Sequence, residues 1–96
     1  MKAKIFAVAK ETRVREFNGR TITEREIFLG YESEGYEGFV PRVRSGISNK
    51  SGAPRAYGIA SENVDVKLFG TYVPKAGDIV AVEFNANGRI CGISKV

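Results

Sequence analysis

Four closely spaced residues could do chemistry: Arg13, Arg15, Phe17 and Arg20, in "RVREFNGR" around an Asn18-Gly19 pair. A guanidinium grips phosphate oxygens through bidentate, permanently charged hydrogen bonds, and its plane also stacks on bases. A phenyl ring offers a flat apolar face to any unpaired base without reading its identity. Together they suit an anionic polymer that carries aromatic bases, so a nucleic-acid contact is expected along this segment. The opposing expectation is a cross-strand ion-pair ladder, in which these arginines meet Glu16 and Glu24 and only keep an exposed segment soluble.

The element that must position them is a β-hairpin. Asn tolerates positive φ and Gly adopts it freely, as a two-residue type I′ turn requires at both central positions. With residues 18 and 19 as the turn, paired positions sum to 37, so Phe17 faces Arg20, Arg15 faces Ile22 and Arg13 faces Glu24. Those six residues share one face of the ribbon, because side chains alternate with period two. The arms "TRVREF" and "RTITER" hold four arginines and only three large apolar residues, so neither face can be core. The hairpin is expected to stand out as a wing, anchored at its base by Ile27, Phe28 and Leu29.

A second basic region lies downstream. From Gly38 to Ser61 there is no acidic residue, while Arg42, Arg44, Lys50 and Arg55 fall inside, and these four equal the chain's net charge of +4. Such a stretch is either a solvated basic loop or an anion-binding surface. If "YEGFVPRVR" runs as a strand, Tyr36, Val40, Arg42 and Arg44 lie on one side, and Phe39 and Val43 turn toward the core. Tyr36 beside two arginines then repeats the pattern of the wing, unless it caps the core's edge. Tyr31, Tyr57 and Tyr72 sit near expected turns, where half-buried tyrosines are ordinary.

The composition excludes several function classes. Ninety-six residues make one domain, 1–96. There is no histidine, which removes the commonest general base and zinc ligand. No calcium-loop spacing, P-loop or G-x-S-x-G occurs, so the expectation is a non-enzymatic protein without metal, cofactor or small-molecule substrate. The longest apolar stretch, "IFAVA", is far short of the ~20 residues of a membrane span, and a lone cysteine cannot form an internal disulfide. A cytoplasmic protein with no membrane partner is expected.

β-Branched and aromatic residues in short alternating runs, broken by eleven glycines, point to an all-β domain. A first strand spans about 2–10. A long element runs from "REIFLGY" through an acidic turn into "GFVPRVRS", where Pro41, lacking an N–H, argues for an edge position or a bulge. "SGISNKSGAPR" reads as a loop, and "NVDVKLF" as a strand with Val64, Val66 and Leu68 on its core face. The chain closes with a hairpin turning at Asn87-Gly88 or at the wider "NANG". In the tight form positions sum to 175, placing Val80, Val82, Phe84, Cys91 and Ile93 on one core face, with Cys91 a small buried apolar residue.

A basic hairpin running into an acidic-apolar strand ("NGRTITEREIFLGY"), a tyrosine before a small-apolar strand ("GYEGFVPRVR") and a C-terminal hairpin give the chain a pattern that resembles the single-stranded-DNA-binding proteins of filamentous phages. The resemblance implies a small five-stranded OB-like barrel with a protruding β-hairpin wing. It also implies a homodimer that coats the replicating phage or plasmid strand in the bacterial host cell. Residue by residue, it makes Arg13, Arg15 and Arg20 phosphate contacts, Tyr36 a groove tyrosine, Arg42 or Arg44 the basic residue of the next strand, and Phe69 a loop aromatic that stacks bases. Ile22 stands where the family carries a tyrosine, so stacking on the wing falls to Phe17.

Two other readings compete. "PKAGDIVAVEFNANGRICGI" has the G-D-x-V-x-V form of SH3-like modules, whose basic surface would meet structured RNA through shape and 2′-hydroxyls. Alternatively, the wing of a phage or plasmid assembly protein pairs with a partner chain by strand addition, its charges guarding against aggregation.

Overall fold

The computed structural model describes residues 1–47 and 54–96, and for 43–47 and 54–59 the backbone alone. The wing comes out in the expected register. β2 (Arg13–Phe17) and β3 (Arg20–Glu32) pair Phe17 with Arg20, Arg15 with Ile22 and Arg13 with Glu24. Asn18 at φ 51° and Gly19 at φ 74° make the turn, the left-handed pair that a type I′ geometry needs.

β3 is the spine of the fold. β1 (Lys2–Val8) pairs with its second half, from Ala3 opposite Tyr31 to Val8 opposite Ile27, and β2 pairs with its first half along the same edge. The chain kinks between β1 and β2, where the Arg25 guanidinium donates to the Ala9 carbonyl. On the other edge lie two short strands, β4 (Phe39–Pro41) beside Gly30 to Glu32 and β7 (Glu62–Asp65) beside Glu24 to Ile27. Pro41, which has no N–H, takes the edge place expected of it. β8 (Ile79–Phe84) joins the far side of β1, and β9 (Ile90–Lys95) pairs with β8.

The antiparallel sheet so formed curls into a half-barrel, which brings β9 back against β7 and a 3₁₀ turn at Val66–Phe69. The domain is therefore all-β and barrel-like, with no α-helix among the described residues. Five strands follow the continuous path β2-β3-β1-β8-β9; β4 and β7 beside β3 bring the sheet to seven, more than the five expected. Its concave face holds the core: Ala3 and Ile5 of β1, Ile27, Leu29 and Tyr31 of β3, Val64, and Val80, Val82, Ile90 and Ile93 of the closing hairpin. Among the described residues no helix is long and apolar enough to cross a membrane.

Three local expectations are corrected. In the closing hairpin Val82 faces Ile93 as expected, but a bulge at Glu83/Phe84 sets Phe84 opposite Ile90. Its cause is the wider turn: the Asn85 carboxamide oxygen accepts from the Asn87 and Arg89 N–H groups at 3.0 Å each, and the Gly88 N–H donates to the Asn85 carbonyl. The shifted residue buries Ile90 and leaves Cys91 exposed.

"NVDVKLF" does not remain extended. The Asp65 carboxylate accepts from the Lys67 N–H at 3.0 Å, which ends β7 and starts the 3₁₀ turn. In β4 the faces are reversed. Tyr31 lies opposite Val40, so Val40 shares the Tyr31 side, while Phe39, opposite Glu32, falls on the outer face. There Gly30 leaves room for the Phe6 ring: a Cβ at residue 30 would come within 2.2 Å of it.

Strand also reaches into both ends of the stretch read as a loop, residues 45–55, whose middle, 48–53, lies outside the described residues. β5 (Val43–Ile47) and β6 (Pro54–Ile59) form a separate two-stranded sheet in which Gly46 faces Arg55 and Ile47 faces Pro54. Pro54 is tolerated because it is the first residue of its strand.

Candidate nucleic-acid interface

The wing's charged face is not left to solvent at its base. Glu24, on β3, is only 3% exposed, although the ladder flanks it with the charged residues Arg13 and Asp65. Its carboxylate lies between two guanidiniums: Arg89 Nη2 donates to one oxygen at 2.6 Å, and Arg15 Nε stands 3.4 Å from the other. Carboxylates are rarely buried this deeply unless paired. The arrangement thereby ties the wing to the Asn85–Arg89 turn of the closing hairpin.

Between that turn and the wing runs a cleft of about 290 Å³, lined among others by Arg15, Phe17, Arg20, Asn63, Asn87 and Arg89. Phe17 is 51% exposed, and the Arg15 guanidinium lies 5.8 Å from its ring centroid, within cation–π range. Arg13 and Arg20 have no carboxylate within 4.0 Å among the described residues. The two opposing expectations therefore divide by residue. Arg15 belongs to an ion-pair network, whereas Arg13 and Arg20 present uncommitted guanidiniums. Chemically, the cleft offers cations at both walls and one exposed ring, with amide side chains and the Glu24 and Asp65 carboxylates also in its lining.

The remaining candidates fall elsewhere. Phe69 is corrected outright: it ends the 3₁₀ turn at 7% exposure, packed in the core with its ring centroid 6.3 Å from that of Tyr72, and has no face left for a base. Tyr36 is 71% exposed in the turn before β4, beside Lys2, Glu32 and Glu34 in a cleft separate from the wing's. Arg42 reaches Tyr31 instead, with its guanidinium 5.9 Å from the ring centroid and 3.7 Å from Glu62. Arg44 and Arg55 sit on β5 and β6, where only the backbone is described, and Lys50 lies outside the described residues.

Sequence reasoning missed Arg89 and set Tyr31 aside as an ordinary half-buried tyrosine near a turn. Arg89 stands 65 residues from Glu24, and no local pattern links them. The one available signal was Glu24 itself, a carboxylate placed by register among the wing's arginines, at a distance from the turn that its second partner occupies.

Two tyrosines are held protonated well beyond their ordinary range. Burial, then the Glu62 carboxylate, pushes Tyr31 from 10.0 up to about 12. Burial, then a 2.6 Å hydrogen bond from its hydroxyl to Asp78, does the same to Tyr72, also to about 12. Below pH 10 both are neutral, folded or unfolded, and their stabilisation is complete. As pH rises from 10 to 12 only the unfolded chain ionises, so stability falls. Melting temperature measured across that window should drop, and Tyr72→Phe should reduce the drop; an unchanged slope in the variant would contradict this account.

No known family model matches the chain, and no curated protein or solved structure is significantly similar to it.

Proposed function

We propose that the protein binds single-stranded nucleic acid, DNA in the first instance, along the wing cleft without reading sequence. The observation that carries this is Phe17, half exposed on the same ribbon face as Arg15 and Arg20 and across the cleft from Arg89. An exposed ring on a polar ribbon contributes little to a fold, but it gives an unpaired base a stacking surface, with cations on both sides for the backbone. A coat on a replicating phage or plasmid strand is the setting this chemistry suits, with a second copy of the chain as partner. Nothing in the proposal calls for an enzymatic step, metal or cofactor.

The test is a titration of oligo-dT, matched duplex DNA and RNA, followed by tyrosine fluorescence and gel shift. With about three phosphates held on a single strand, log K should fall against log salt with a slope near −2, a loss of ~20-fold between about 50 and 200 mM. Equal affinity for duplex and single strand, preference for structured RNA, or no binding at ~50 mM salt would overturn the proposal.

A further inference from the structure

The wing cleft does not close at Arg89. A smaller cleft of about 180 Å³ shares Arg15, Asn63, Arg89 and Ile90 with it and extends to Glu62. Beyond Glu62 opens a third, of about 490 Å³, whose near rim is Gly88, the residue before Arg89, and whose walls include Tyr31, Phe84, Val40, Pro41 and Arg42. The first two clefts share four residues, and the third adjoins them through Gly88, next to Arg89, and through Glu62, which contacts both Tyr31 and Arg42, so the three adjoin as one track.

Its far end has a chemistry that matches the wing. Tyr31 and Phe84 lie with ring centroids 6.2 Å apart and planes inclined by 47°. Arg42 covers the Tyr31 ring at 5.9 Å while its side chain remains 59% exposed, so the guanidinium has an open outer face. A guanidinium stacked on one aromatic ring can take a base on its other face and still reach a phosphate with its edge.

Glu62 stands between the two ends. Its carboxylate accepts from the Tyr31 hydroxyl at 3.4 Å and lies 3.7 Å from Arg42, so its charge is balanced locally. Along the three clefts Arg15, Arg20, Arg89 and Arg42 are matched by Glu24, Asp65, Glu62 and Glu32, so what a strand would meet is individual guanidiniums and rings rather than a net positive field.

We infer that a bound strand runs past the Gly88-Arg89 turn into the Tyr31–Phe84 cleft, where Arg42 forms a second contact point for its backbone and bases. This rests on the nucleic-acid reading of the wing and adds a length and a far end to it. From Ile22, opposite Arg15, to Tyr31 is nine residues of β3, roughly 30 Å of strand. At ~3.4 Å per stacked nucleotide that is about nine nucleotides, and fewer if the ligand is stretched. A pentamer therefore fills the wing alone, and a dodecamer fills the whole track.

The experiment compares oligo-dT of about five and about twelve nucleotides on wild type, Arg42→Ala and Arg20→Ala, with melting temperatures measured for all three. Expected are a stepwise gain in wild-type affinity between the two lengths, and about a tenfold loss for Arg42→Ala on the dodecamer only. Arg20→Ala should weaken both lengths. If Arg42→Ala weakens both equally or neither, or if wild-type affinity does not rise with length, the track is overturned and the wing reading stands. If neither oligonucleotide binds wild type, the wing reading fails and the track with it. Should Arg42→Ala lower the melting temperature, the wild-type length step decides.

Discussion

Replacing Arg15 and Arg89 together with alanine is expected to destabilise the protein by roughly 3 kcal/mol or more, because it leaves a buried carboxylate without a cation. Glu24 is 3% exposed, whereas its two partners are 37% and 47% exposed, so the charge that cannot reach water is the glutamate's. Removing a single arginine leaves the other guanidinium beside the carboxylate and should cost about 1–2 kcal/mol. Groups in one network do not act independently, so the double replacement should exceed the sum of the singles. Urea denaturation of the four proteins measures this. Adding Glu24→Gln to the double variant should recover part of the loss, since a neutral amide is cheaper to bury than an unpaired charge. Arg20→Ala, with no carboxylate partner among the described residues, should leave stability unchanged. Additive singles with a double loss under about 1 kcal/mol would show that Glu24 finds water or another partner.

The register of the wing was legible because it is local: a two-residue Asn-Gly turn fixes every pair from Phe17–Arg20 to Arg13–Glu24. The closing hairpin uses the same dipeptide, yet Asn85, three residues before Gly88, captures two backbone N–H groups and widens the turn. One extra residue exchanged Cys91 for Ile90 in the core. Phe69 was misplaced for a related reason, since an Asp65 side chain that competes for the backbone looks like an ordinary polar position in an alternating strand.

What no local pattern could supply was the meeting of distant segments. Charge spacing found the wing's arginines and offered Glu24 as a partner for them, but not that Arg15 is the one that takes it, nor that Arg89 joins them from the far hairpin. Likewise Arg42 was singled out beside Tyr36, whereas the curl of the sheet sets it over Tyr31. The residue types were readable, and their partners depended on closure of the half-barrel.

The second large effect concerns binding alone. Phe17→Ala should weaken oligo-dT binding by ~1–3 kcal/mol, between about fivefold and 150-fold, the range for removing one base-stacking ring. At 51% exposure on a ribbon outside the core, the ring contributes little burial, so the melting temperature should hold within about 2 °C. Phe17→Tyr keeps a flat face and should retain most of the affinity, while Phe17→Leu keeps apolar area without the plane and should not. The salt slope separates stacking from charge: Phe17→Ala should leave it unchanged, and Arg20→Ala should reduce it by about 0.7, the increment for one phosphate on a single strand. If Phe17→Leu binds like wild type, the ring acts only as apolar area and single-strand stacking on the wing is wrong. If Phe17→Ala lowers stability as much as affinity, Phe17 is instead a packing residue for the Arg15 guanidinium that lies 5.8 Å from its ring centroid.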